Sequence, residues 1–129
     1  MKRIKSKSDK RVIVEGTINN EKAYFLLDTG ASVGLLNSKD KKKYKLNLGI
    51  DYRGTLIGAG GNIKSVKHCN DFVNIEHINI PQFLVTNIES IVDSINKETG
   101  IRILGIIGLP QMQICGIGID ANSMEIIVE

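Results

Sequence analysis

Short stretches in which apolar and polar residues alternate recur along this chain, and they predict β-strands. The first covers residues 12–18, where Val14 and Ile18 lie on one side and Glu15 and Thr17 on the other. A period of two is the pattern of a half-buried strand. We therefore expect the ordered part of the chain to begin with a strand here.

A hairpin is predicted directly after this strand. Asn19 and Asn20 are typical of a tight hairpin turn, and residues 22–27 form the return strand. The last residues of that strand are uniformly apolar, which predicts burial. The chain then turns at Asp28, and a short apolar segment at 33–36 leads out of the turn.

Further strands are predicted downstream. Residues 51–57 and 63–67 flank a glycine-rich tip and predict a second hairpin. The remaining predicted strands are 71–80, with His77 as an ordinary strand residue, 83–85, 101–107, and a last hairpin, 117–120 with 124–128. The apolar character of this last hairpin indicates that it pairs with the same sheet or with a second subunit.

Two segments have features of helices. Apolar residues recur at helical spacing over 88–95, with Asn87 available as N-cap and Gly100 as terminator. Residues 109–114 predict a second, shorter helix, since Pro110 is favourable in a first helical turn. The expected fold class is therefore all-β, with one or two short helices.

A third candidate helix is the lysine-rich segment 38–44, with Asn37 or Ser38 as N-cap. Its lysines favour a solvated helix face, and a docking patch for an acidic partner is the alternative.

Composition places the chain among single globular domains. It has 129 residues, of which 42% are hydrophobic, and it contains 13 glycines. Residues 1–10 are charged without periodicity, which predicts a flexible basic lead-in before one domain at 11–129.

The charge pattern argues against binding to nucleic acid or membrane. The net charge is only +3 and the aromatic content 5%, with no basic stripe among aromatic residues. No run of apolar residues is long enough to span a membrane.

Neither the cysteines nor the histidines form a recognisable framework. Cys69 and Cys115 are isolated, which predicts thiols in a reducing compartment and hence a cytoplasmic location. His68, Cys69 and His77 lack the paired spacing of a zinc site. We expect no metal and no cofactor.

The turn at Asp28, Thr29 and Gly30 is the strongest candidate for chemistry. A carboxylate directly after an apolar strand needs compensation for its lost hydration. Gly30 allows close backbone approach, and the small Ala31 and Ser32 leave space around Asp28. An ordinary strand-to-loop corner can also carry this triplet.

Three segments together extend the motif. The string from Leu26 to Ser32 resembles the catalytic motif of the retropepsin-like aspartic proteases. Gly54 to Gly61 resembles the glycine-rich flap of that family, and Gly105 to Gly108 its apolar-apolar-Gly motif. The resemblance covers roughly residues 11–129 and implies an acid-protease β-barrel with one lobe per chain.

The resemblance also implies a mechanism. Hydrolysis of a peptide bond without a metal or a nucleophilic side chain needs an activated water and a proton donor. Two adjoining carboxylates provide both, one acting as base and the other as acid. The chain contains a single Asp-Thr-Gly and cannot hold a second lobe, so the second carboxylate must come from another molecule. A homodimer that places Asp28 of each subunit on its two-fold axis supplies it.

The residues that carry this function are assigned by the same resemblance. Asp28, Thr29 and Gly30 form the catalytic set, with Thr29 at the position that hydrogen-bonds across the dimer. The expected contacts to a polypeptide substrate are Ala31, Ser32, Ile57, Gly58, Ala59, Gly60, Gly61 and Ile107.

This chain departs from the family pattern at three places. Ser32 replaces an acidic residue of many retroviral members, the flap has no tyrosine, and 88–100 resembles an insertion. A binding module that keeps the fold without useful activity is the alternative function, and a small β-rich nucleic-acid binder is a third.

Overall fold

The computed structural model describes residues 1–52, 57–58, 61–62 and 65–129. Within these ranges the chain forms fourteen β-strands, two α-helices and a 3-10 helix at Ser38–Asp40. The helices are α1 (Glu89–Thr99) and α2 (Leu109–Cys115). The strands are β1 (Lys2–Lys5), β2 (Ile13–Ile18), β3 (Glu21–Asp28), β4 (Gly34–Asn37), β5 (Leu48–Asp51), β6 (Ile57–Gly58), β7 (Gly61–Asn62), β8 (Lys67–Cys69), β9 (Val73–Ile75), β10 (Ile78–Ile80), β11 (Phe83–Thr86), β12 (Gly105–Gly108), β13 (Ile117–Asp120) and β14 (Glu125–Val128).

The largest sheet in the described ranges has nine strands, in the order β10-β9-β2-β3-β12-β4-β11-β8-β5. At its centre β12 lies between β3, to which it is parallel, and β4, to which it is antiparallel. All four residues of β12 are buried, as expected for a strand covered on both faces. The predicted all-β fold class is confirmed.

The first hairpin forms as predicted. In β2 and β3 the pairing runs from Ile13 opposite Leu26 to Ile18 opposite Glu21. Asn19 and Asn20 both have positive φ, at 51° and 66°. Two such residues are the signature of a two-residue turn whose twist matches that of the strands.

Two apolar clusters hold the sheet together. The larger one, inside the curved sheet, contains Phe25 and Leu27 of β3 and Ile107 of β12. The second lies between the sheet and α1, where Val92 and Ile95 pack against residues such as Leu26. Full burial of one such side chain stabilises the fold by about 1.5–3 kcal/mol, so α1 is fixed mainly by this contact.

The helix predictions are correct in type and differ at the boundaries. The segment at 88–95 is α1, and Gly100 ends it as expected. Its N-cap is Ile88 rather than Asn87, but the Asn87 side chain still accepts the Glu89 N–H at 2.9 Å. The segment at 109–114 is α2, which extends to Cys115.

The lysine-rich segment forms only a short 3-10 helix. Asn37 is its N-cap, and the Asn37 side chain accepts the Lys39 N–H at 3.2 Å. The segment supplies a single buried side chain, Tyr44, and Lys45 has a φ of 53°. Without an apolar stripe and with that backbone geometry the helix does not continue.

Two strand predictions need correction. The predicted strand at 71–80 is a hairpin of β9 and β10, because Glu76 has a φ of 56° and turns the chain. His77 therefore lies in a turn and not in a strand. The predicted strand at 101–107 is shorter, since only Gly105–Gly108 pairs as β12.

The N-terminal segment also differs from the expectation of a flexible lead-in. Lys2–Lys5 form β1, which pairs antiparallel with β14, and β14 pairs on its other side with β13. Because Ile126 and Val128 of β14 are buried, the backbone N–H and C=O groups of this strand need hydrogen-bond partners on both of its edges. Arg3 adds ion pairs to Asp120 and Glu125, at 3.1 and 3.2 Å. The predicted last hairpin thus pairs within its own chain.

The second hairpin lies partly outside the described residues. β6 and β7 pair antiparallel, with Gly58 opposite Gly61, while Ala59 and Gly60 are outside the described ranges. At its base the Tyr52 N–H donates to the Val66 carbonyl at 2.9 Å.

None of the helices in the described ranges has the length and apolar character needed to cross a membrane.

Candidate active site

The candidate catalytic carboxylate lies at the last residue of β3. Gly108, the last residue of β12, is directly opposite Asp28 in the parallel pairing. The Gly30 N–H donates to Asp28 Oδ1 at 2.8 Å, and the Ala31 N–H donates to the Asp28 carbonyl at 3.1 Å. These bonds close a tight turn and fix the direction of the carboxylate.

The turn rests on the corner between β12 and α2. The Leu109 N–H donates to the Ala31 carbonyl at 2.9 Å. A Cβ at Gly108 would lie 2.8 Å from the Ala31 carbonyl oxygen and 2.9 Å from that of Val33. Only glycine permits this approach, so the apolar-apolar-Gly segment sets the position of the loop that follows Asp28.

The candidate catalytic turn, residues 28–32, is open to solvent. Thr29, Gly30 and Ser32 are exposed, while Asp28 and Ala31 are half-buried. The carboxylate that follows the apolar strand is therefore only partly withdrawn from water.

A cavity of about 270 Å³ adjoins the loop after the turn. Ser32 and Gly34 line it on the side of the turn, and Tyr52 and His68 line it on the side of the second hairpin. The rings of Tyr52 and His68 meet edge to face, with centroids 5.7 Å apart. The cavity provides a partly polar surface next to the candidate catalytic group.

A second cavity, of about 290 Å³, has Asp28 in its lining. Arg11 lies in its wall and holds Glu98 of α1 through Nε to Oε1 at 2.6 Å and Nη2 to Oε2 at 3.2 Å. The pKa of Arg11 is raised mainly by the hydrogen bonds to Glu98, and the negative charge of Asp28 raises this pKa a little further. A fixed positive charge thus lies in the neighbourhood of the candidate carboxylate.

A sequence comparison decides the family. The model of a family described as aspartyl protease matches residues 14–110, which include the Asp28 turn and the segment from Gly105 to Gly108. The chain belongs to the aspartyl protease family. A search of curated protein sequences finds no match.

Solved structures of this family share the fold. The protease of EIAV, in complex with the inhibitor HBY-793, aligns with a TM-score of 0.61 at 24% identity, over 88% of this chain and 95% of that one. A retropepsin-like aspartic protease from Rickettsia conorii aligns with a TM-score of 0.59 at 22% identity, over 98% and 88%.

The retroviral protease-like domain of Ddi1 from Leishmania major also aligns, with a TM-score of 0.59 at 19% identity, over 92% and 88% of the two chains. The fold of this aspartyl protease family member is therefore retropepsin-like, as the three motifs implied.

Ile107 has a different position from the one expected of a substrate contact. Its side chain has no exposed surface and lies in the larger core cluster. The burial assigns Ile107 to packing behind the candidate catalytic turn and does not fit the expected contact with substrate.

One residue of the site was missed in the sequence. Gln111, buried at the third position of α2, accepts the Gly108 N–H through Oε1 at 2.9 Å and donates from Nε2 to the Pro81 carbonyl at 2.7 Å. Its amide occupies the space that a Cβ at Gly34 would need. A glutamine near a helix start is too common a signal to reveal these contacts.

The candidate metal residues do not converge. His68 and His77 are exposed and Cys69 is buried, and within the described ranges no group of three His, Cys, Asp or Glu side chains could hold a metal ion. Burial raises the pKa of the Cys69 thiol to about 11, which is the behaviour of a structural cysteine.

Proposed function

We propose that this protein is an aspartic endopeptidase that acts as a homodimer, with Asp28 of each subunit at the shared site. The observation that carries the proposal is the half-exposed Asp28 at the end of β3, with Oδ1 held by the Gly30 N–H. The sequence contains one Asp-Thr-Gly, so a second copy of the chain is the natural source of the second carboxylate.

Two Asp28 carboxylates in contact share one proton, because like charges at such a distance cannot both ionise easily. The ionised Asp28 takes a proton from a water molecule as the water oxygen bonds to the scissile carbonyl carbon. The protonated Asp28 gives its proton to the carbonyl oxygen. The tetrahedral intermediate then breaks its C–N bond: the Asp28 that took the water proton gives it to the amine nitrogen, and the other Asp28 takes a proton from a hydroxyl of the intermediate. The products are a carboxylic acid and an amine, and the pair again shares one proton.

Thr29 and Gly30 complete the catalytic set in this proposal. Both are exposed on the single chain, where a second subunit can reach them. Thr29 hydrogen-bonds across the dimer beneath the carboxylates, and Gly30 allows the two turns to approach.

The substrate is an extended polypeptide. Ala31 and Ser32 contact the substrate beside the turn. The hairpin of β6 and β7 closes over the substrate and pairs with its backbone, so that the substrate adds a strand to the hairpin. The hairpin residues assigned to this contact are Ile57, Gly58, Ala59, Gly60 and Gly61.

A second candidate is a binding module that uses the same dimer without cleaving its ligand. The exposed Thr29 and Gly30 offer a second subunit the same contact surface whether or not the ligand is cleaved, which makes this candidate the main competitor.

Cleavage of a complex peptide mixture, analysed by mass spectrometry from about pH 4 to pH 7, separates the two candidates. We expect cuts with wild type and with Asp9→Asn, an exposed aspartate outside the site, and none with Asp28→Asn. No cuts from a wild-type protein shown to be dimeric would favour the binding module, and cuts by Asp28→Asn would contradict the catalytic assignment.

A further inference from the structure

A basic cavity lies near the start of β3, at the opposite end of the strand from Asp28. Its volume is about 540 Å³, and the buried Ile103 and Tyr44 lie in its wall. Lys22 and Asp28 are six residues apart on β3, a separation on the order of 20 Å along the strand. We call it the lysine cavity. It is lined by Lys7, Lys22, Tyr24, Asp40, Lys43, Tyr44, Gly100, Ile101, Arg102 and Ile103.

The charges around the lysine cavity are unbalanced. Asp40 is the single carboxylate in its lining, and both of its oxygens accept hydrogen bonds from Arg102, at 3.1 and 3.2 Å. Among the residues that the structure describes, Lys7, Lys22 and Lys43 form no ion pair with a carboxylate. Within the described ranges, these three ammonium groups therefore lack a partner of opposite charge.

Two of these ammonium groups lie over tyrosine rings that line the cavity. Lys22 Nζ is 5.8 Å from the centroid of the Tyr24 ring, and Lys43 Nζ is 5.4 Å from that of Tyr44. Contact with a ring face restrains a lysine without using its N–H donors. Lys22 and Lys43 can therefore still donate hydrogen bonds to a bound anion.

The helix end in the cavity restricts which anion fits. Gly100 caps the C-terminus of α1, where the exposed carbonyl groups carry partial negative charge. Gly100 is exposed, so this charge lies at the mouth of the cavity and disfavours a compact anion such as phosphate, which holds several negative charges close together. The separate carboxylates of acidic side chains on a polypeptide can instead meet the lysines at the rim, while the aliphatic parts of those acidic side chains contact Tyr24 and Ile101.

We propose that the lysine cavity binds an acidic segment of a polypeptide, at a site separate from the catalytic turn. The lysines without carboxylate partners and the cavity between them carry this proposal, which does not depend on the protease activity. The Asp28→Asn variant should bind the segment as wild type does.

Titration of the full-length protein with a labelled hexaglutamate peptide tests the site. We compare two double variants that remove the same charge: Lys22→Gln with Lys43→Gln inside the cavity, and Lys41→Gln with Lys42→Gln on the adjacent exposed surface. Loss of two charged contacts predicts roughly tenfold weaker binding for the cavity variant, and little change for the surface variant. A thermal melt of each variant verifies that it is folded.

Saturable binding that only the cavity variant weakens would support the proposal. Equal weakening by the two variants would show unspecific attraction to the basic surface and overturn it. Absence of saturable peptide binding would overturn the proposal too. A cavity that binds inorganic tripolyphosphate but not the peptide would also overturn it.

Discussion

Asp71 shows how one buried carboxylate can organise a region away from the candidate catalytic site. It is 9% exposed, and it accepts the Asn47 N–H and the Asn47 side-chain amide, both at 2.7 Å. Burial raises the pKa of Asp71, but the hydrogen bonds from Asn47, Asn19 and Cys69 outweigh this and leave the pKa below its usual value. The ionised form is thus the one that the fold stabilises.

Because the folded pKa of Asp71 is lowered, its contribution is complete above the unfolded pKa, near 4, and is lost as the pH falls through the folded value. We expect Asp71→Asn to lower the free energy of unfolding at pH 7 by about 1–3 kcal/mol. Denaturant unfolding should show the deficit shrinking below about pH 4. Asp9→Asn is the control, and a deficit that stays constant with pH would contradict this account.

At the scale of elements, the corner between β12 and α2 supports the candidate catalytic turn. Gly108 allows the loop from Ala31 to Val33 to lie against it, and Gln111 ties the corner to Pro81 in the connection between β10 and β11. Gln111 of α2 thus connects β12 with the segment before β11, and no local sequence pattern links these parts of the chain. We therefore expect Gln111 to affect both the position of the turn and the stability of the fold.

Gln111→Leu keeps the size of the side chain but leaves the Gly108 N–H and the Pro81 carbonyl without their partner. We expect a loss of about 1–3 kcal/mol in unfolding free energy. Because the turn moves, kcat should fall while KM changes little. Gln113→Leu, on the exposed face of the same helix, is the control. Equal effects of the two variants on kcat would contradict the positioning role.

Much of the fold could be predicted from the sequence because its signals are local. Apolar alternation predicted β2, and helical spacing with Gly100 predicted α1. β1 could not be predicted, since Lys2, Arg3 and Lys5 form a strand only because β14 offers a free edge. Gln111 and the lysine cavity depend on residues far apart in sequence, so neither has a local pattern.

At the scale of the whole molecule, one chain provides half of the proposed active site. It holds a fixed carboxylate at an exposed turn, and its N-terminal strand is already paired with its own β14. A homodimer in the proposed account therefore forms between folded subunits, with the lysine cavity distant from the shared carboxylates.

Subunit dilution tests the central claim most directly. A fixed amount of wild type is mixed with a roughly ninefold excess of Asp28→Asn, at concentrations where dimers predominate, and peptide cleavage is measured. Random pairing should leave about one tenth of the wild-type chains with a wild-type partner, and activity should fall to about that fraction. Undiminished activity would contradict an active site built from the Asp28 residues of two subunits.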